Sequence, residues 1–189
     1  MFIFDIETLS KQSTAVILSF ACVHIDPDKE YTYDELVANS FFVKLNAKDQ
    51  VKNHHRTMQK STLDWWNKQC DIVKRKSFIP SEQDVDFETG YNLFKKWVNK
   101  INEKNALVFA RGNLDQLVLD DYQEQLQLEP IFPHYQWRDV RTAVDMLTDS
   151  TTGYCRVKNF DPQARVFKHD PVHDVAYDAL MLLYGVTEQ

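Results

Sequence analysis

The chain has 189 residues, 43% of them hydrophobic and 13% aromatic, which is enough to bury the core of a single domain over 1–189. No apolar run is long enough to span a bilayer and no basic leader precedes a cleavage site, so a cytoplasmic protein without a membrane partner is expected. A formal charge of -6 excludes a protein that coats long nucleic acid by neutralising phosphates, though not an enzyme that grips a few nucleotides.

The first segment, "MFIFDIETLS", alternates Phe2, Phe4 and Ile6 with Ile3, Asp5 and Glu7. That period of two predicts a strand over Phe2–Glu7 with both acids on one face. Two carboxylates one pleat apart either look into water or share a cation. Strands are expected next at Ala15–Asp26 and Val37–Leu45, joined by short spacers as an antiparallel meander. Ser61 or Thr62 can cap a helix carrying Trp65 and Trp66 to about Cys70. Asp71–Asp86 reads as a polar surface loop, and the spacing of Tyr91, Phe94, Trp97, Val98 and Ile101 predicts a helix to about Asn102. "ALVFARGNLDQLVLDDY" reads as a strand over Ala106–Ala110, a turn at Gly112 and a helix with Asp115 near its start. Pro130 and Pro133 punctuate a loop, "WRDVRTAVDML" supplies a short strand or helix, and Asp149–Arg165 is a polar excursion around Gly153. A last helix runs from about Pro171 to Tyr184. Strands followed by alternating helix and strand imply an α/β fold with a mixed central sheet flanked by helices.

The three cysteines, Cys22, Cys70 and Cys155, are far apart and lack CxxC spacing. They read as core or near-surface thiols, not as a zinc site or a disulfide framework.

The D-x-E strand, Asp115 after a strand and glycine turn, and "KHDPVHDVAYDAL" at the last helix occur in an order and spacing that resemble the DEDDh superfamily of 3′–5′ exonucleases. "TLDWWNKQ", "FARGNLDQLVLDD" and "WRDVRT" look like segments of its phage exonuclease A and bacterial exoribonuclease branch. The resemblance covers nearly the whole chain. It implies a ribonuclease-H-like fold, two Mg²⁺ or Mn²⁺ ions, and stepwise release of nucleoside monophosphates from the 3′ end of a nucleic acid, DNA in the first reading and RNA in the alternative. It also implies the site residues: Asp5, Glu7, Asp115 and the acid of the third motif as metal ligands, with a histidine as general base.

The chemistry suits these residue types. Cleavage of a phosphodiester by water needs a nucleophile near neutral pH and charge stabilisation on the attacking and leaving oxygens, which a metal pair roughly 3.5–4 Å apart supplies. Carboxylate oxygens suit Mg²⁺ or Mn²⁺, and a histidine with an ordinary pKa of about 6.5 can collect the proton. The third motif, H-x-x-x-x-D, fits either His169 with Asp174 or His173 with Asp178. The first frame is preferred, because Asp170 makes a good N-cap and Pro171 a good first helical residue. That leaves His169 on the approach and Asp174 just inside the helix. Ala179 also falls where the family tends to have a small residue. With all five motif positions filled, a non-catalytic binding module on the same fold is the weaker alternative.

Among other residues, at least one of Trp65 and Trp66 is expected in the core, with base stacking as the lesser reading. Arg138, Asp139 and Arg141 read as a structural ion-pair network ahead of a substrate contact, and Lys52, His54, His55 and Arg56 as a solvated loop or a phosphate-gripping one. Phe20 reads as core. Oligomeric state is not legible in the sequence.

Overall fold

The computed structural model describes residues 1–103 and 105–187. Its central sheet has five strands in the order β3-β2-β1-β4-β5. β1 (Phe2–Thr8), β2 (Ile17–His24) and β3 (Phe41–Lys44) form the expected antiparallel meander. β4 (Val108–Ala110) and β5 (Trp137–Asp139) then add in parallel beyond β1. A mixed sheet with helices on both faces is the ribonuclease-H-like architecture anticipated from the element order.

The alternation along β1 divides the core. Phe2, Phe4 and Ile6 enter an aromatic-rich layer with Phe20, Tyr91 and Phe94, under α5 (Phe87–Ile101) and α6 (Leu114–Gln125). Ile3, on the opposite face, packs with Val175, Ala176 and Ala179 of α9 (Pro171–Tyr184). Asp5 and Glu7 continue the Ile3 face towards the end of the strand, so the side that buries α9 in its middle opens into a polar cleft at its tip. α7 (Val140–Thr148) flanks α9, and a two-stranded ribbon of β6 (Arg156–Val157) and β7 (Gly185–Val186) lies beside it. Cys22 and Cys155 are buried and Cys70 is exposed.

Several local expectations are corrected. Val37 belongs not to β3 but to α1 (Tyr33–Asn39), because Thr32 and Glu35 form a reciprocal capping box that starts a helix there. The segment before Arg56 is α2 (Ala47–His54), capped by Asn46. Arg56 itself is buried against Asp121, the carbonyl of Ala15 and the Tyr122 ring, so it grips the interior and not a phosphate. The helix of the tryptophans is α3 (Lys60–Trp66), begun at Gln59 without a side-chain cap. Part of the supposed loop after it is helical: α4 (Asp71–Val73) runs into a π-helical turn over Lys74–Phe78. The polar excursion contains β6 and α8 (Pro162–Arg165). Arg138, Asp139 and Arg141 form no ion pair with one another among the described residues. Asp139 instead caps α7 and accepts the Gly112 N–H at 2.9 Å. No described helix is long and apolar enough to cross a membrane.

Candidate active site

Asp5, Glu7, Asp115, His169, Asp174 and Asp178 all line one cleft of about 1110 Å³. Three elements bring them together. β1 delivers Asp5 and Glu7 on its α9-facing side. Trp66, fully buried, donates its indole N–H to the Thr8 carbonyl at 3.0 Å and so fixes the end of that strand, where the register with β2 shifts between Glu7 and Thr8. Asp115 comes from the first turn of α6. The chain enters that turn through Gly112 at φ +88, a backbone shape that glycine adopts readily.

α9 delivers the third group. Asp170 caps it, accepting the Val172 N–H, and Pro171 takes the first turn. Asp174, one turn in, accepts the His169 N–H at 2.8 Å, while His169 sits just before the helix at φ 68. Ligand atoms of Glu7, His169 and Asp174 lie within 4.8 Å of one another. His173 points elsewhere: its Nδ1 is 2.6 Å from the Tyr33 hydroxyl, and its ring meets Phe167 edge-on.

So many acids in one place disfavour their own ionisation. Burial, then Glu7 and the other acids, pushes Asp5 well above the ordinary carboxylate range, and burial followed by Asp174 does the same to Glu7. Asp115 is pushed up to about 8 by burial and then by Asp178, and Asp174 up to about 7, chiefly by burial. Burial also lowers the pKa of His169, so its imidazole is neutral near pH 7 and able to accept a proton. Oδ2 of Asp5 is buried with no hydrogen-bond partner among the described residues.

Two features escaped the sequence. Trp65 is 38% exposed, lines the cleft and meets His169 edge-on at 4.6 Å; in the sequence only its adjacency to Trp66 hinted that one of the pair faces outward. Arg111, at the end of β4, holds Asp178 through Nε and Nη2 and donates from Nη1 to the Gly153 carbonyl at 2.8 Å. Tyr154 lies over its guanidinium at 4.2 Å. Burial pushes the Asp178 carboxyl up, and Arg111 opposes that push. An arginine closing a buried strand was the available signal for this pair.

The exodeoxyribonuclease of enterobacteria phage T4 is 31% identical to this chain over 207 residues, an alignment covering 98% of the chain and 88% of that protein. The family model described as 3′–5′ exoribonuclease Rv2179c-like domain matches residues 1–185. The chain therefore belongs to the Rv2179c-like family and is a 3′–5′ exonuclease.

Proposed function

We propose that this exonuclease releases nucleoside monophosphates from the 3′ end of DNA with two Mg²⁺ or Mn²⁺ ions, held by Asp5, Glu7, Asp115 and Asp174, and with His169 as general base. The observation that carries the reading is the convergence of Glu7, His169 and Asp174 within 4.8 Å. The donor set fits the group: the acids offer hard oxygens, and the unpartnered Oδ2 of Asp5 together with the raised carboxyl pKa values describes a cluster that wants cationic charge. When bound, such ions lower the pKa of water and neutralise charge on the attacking and leaving oxygens.

The protein's own residues do the rest. Neutral His169 takes the proton of the attacking water. Asp174, by accepting the His169 N–H, ties the position of the base to that of a ligand. Trp65, edge-on to the imidazole, limits the orientations open to it. His173, engaged by Tyr33, takes no part, which supports the frame of His169 and Asp174.

DNA is favoured by the phage T4 relative, whose name gives deoxyribonucleic acid as its substrate. The description of the matching family model as exoribonuclease favours RNA as the second reading. Digestion of matched 5′-labelled DNA and RNA, single- and double-stranded, with Mn²⁺ or with EDTA tests both. The expected result is a ladder shortening from the 3′ end, faster on DNA and stopped by EDTA. Cleavage that persists in EDTA would overturn the metal assignment, and faster loss of RNA would move the substrate to the second reading.

A further inference from the structure

Two arginines line the cleft, Arg111 and Arg141, and their environments differ. Arg111 is committed to Asp178 and to the Gly153 carbonyl. Arg141, in the first turn of α7, is exposed; among the described residues its side chain makes no ion pair and no hydrogen bond, although acids crowd the same cleft.

The base of its stem is nonetheless packed. A Cβ on Gly153 would stand 2.6 Å from both Cβ and Cγ of Arg141, so the backbone at Gly153 presses directly on the stem. That backbone is itself anchored: its N–H donates to Asp145 at 2.7 Å and its carbonyl accepts from Arg111. At the other end, Nη1 lies 3.7 Å from the position of a Cβ on Gly112, over the turn that leads to Asp115. A stem packed at its base on the Gly153 backbone, with an open fork of donors beyond it, offers an anion site.

We propose that Arg141 binds a non-bridging oxygen of the substrate phosphate next to the scissile one, an assignment that rests on the exonuclease reading above. The scissile phosphate must reach the carboxylates themselves, whereas the head of Arg141 stands over Gly112, three residues before Asp115. Gly153 and Arg111 serve as the support that keeps this fork in place.

The test uses Arg141→Gln and Arg141→Lys with a single-stranded oligonucleotide, either unmodified or carrying one neutral methylphosphonate at the linkage just upstream of the scissile bond. Steady-state kinetics are read alongside anisotropy of the labelled strand in EDTA. Arg141→Gln is expected to raise KM about 10–100-fold, the range of a lost hydrogen bond to a charged group, with a smaller change in kcat. It should also flatten the salt dependence of binding by roughly one phosphate. Arg141→Lys should fall between, since it keeps the charge and loses the fork. The methylphosphonate should weaken the wild type as much as the mutation does and cost Arg141→Gln nothing further. Unchanged KM, or full additivity of mutation and methylphosphonate, would overturn the assignment. A wild type inert on the unmodified strand would instead overturn the proposed substrate, not the role of Arg141.

Discussion

The carboxylate of Asp174 accepts the backbone N–H of His169 at 2.8 Å, holding the histidine at φ 68, where an L-residue is strained by roughly 1–2 kcal/mol. The proposed base and the proposed ligand are thus set by one contact across the start of α9. His169→Ala should lower kcat by roughly 10²–10⁴-fold, with Mn²⁺ affinity little changed. His169→Gly should be equally slow but about 1 kcal/mol more stable than His169→Ala, because glycine relieves the left-handed strain. His173→Ala should do the reverse: it loses the Tyr33 contact and some stability while keeping kcat. A slow His173→Ala beside an active His169→Ala would move the third motif four residues along the helix. Melting curves and initial rates of the three variants supply the comparison.

Arg111 and Asp178 form a mostly buried pair, with side chains 14% and 10% exposed. Removing one partner leaves the other charge without its counter-ion, so Asp178→Ala should destabilise the fold by about 3–5 kcal/mol, measured by urea unfolding. Arg111→Met combined with Asp178→Leu should recover much of that loss, since neither charge is then buried. If the single and double variants are equally unstable, the pair is not what holds β4, α9 and the Gly153 turn together.

In the metal-free protein, pH should work against stability as it rises. Asp115 is pushed to about 8 and Asp174 to about 7 from ordinary values of 3.8, so between those limits the folded chain binds more protons than the unfolded one. Their contribution is therefore full below about pH 4 and is lost as pH climbs through about 7–8. The melting temperature in EDTA should fall from about pH 6 to about pH 9, and saturating Mn²⁺ should flatten that slope. Asp5→Asn, which removes one of the repelling charges, should raise the metal-free melting temperature at the alkaline end. A metal-free protein that gains stability over that range would show that the acids are not crowded as described.

The parts legible in the sequence were those written in local periodicity or capping. Alternation over β1 placed Asp5 and Glu7 on one face, the turn at Gly112 placed Asp115 at the start of α6, and Asp170 with Pro171 marked the start of α9. The capping box of Thr32 and Glu35 was equally local, but Val37 and Ala38, read together with the apolar residues of β3 across Asn39 and Ser40, masked it. What the sequence could not hold was long-range pairing. Arg111 meets Asp178 across 67 positions, and Tyr33 meets His173 across 140. The two histidine frames are equivalent as spacing; Asp170 and Pro171 favour the first from the sequence, and the Tyr33 contact to His173 adds a long-range reason that the sequence could not hold.

Calorimetric titration of Mn²⁺ into the wild type, Asp174→Asn and Asp178→Asn tests the proposal that Asp5, Glu7, Asp115 and Asp174 hold divalent cations. Saturable binding is expected of the wild type, weaker binding of Asp174→Asn, and near wild-type affinity of folded Asp178→Asn, whose carboxylate is held by Arg111. Mn²⁺ affinity that is unchanged in Asp174→Asn but lost in Asp178→Asn would contradict that proposal.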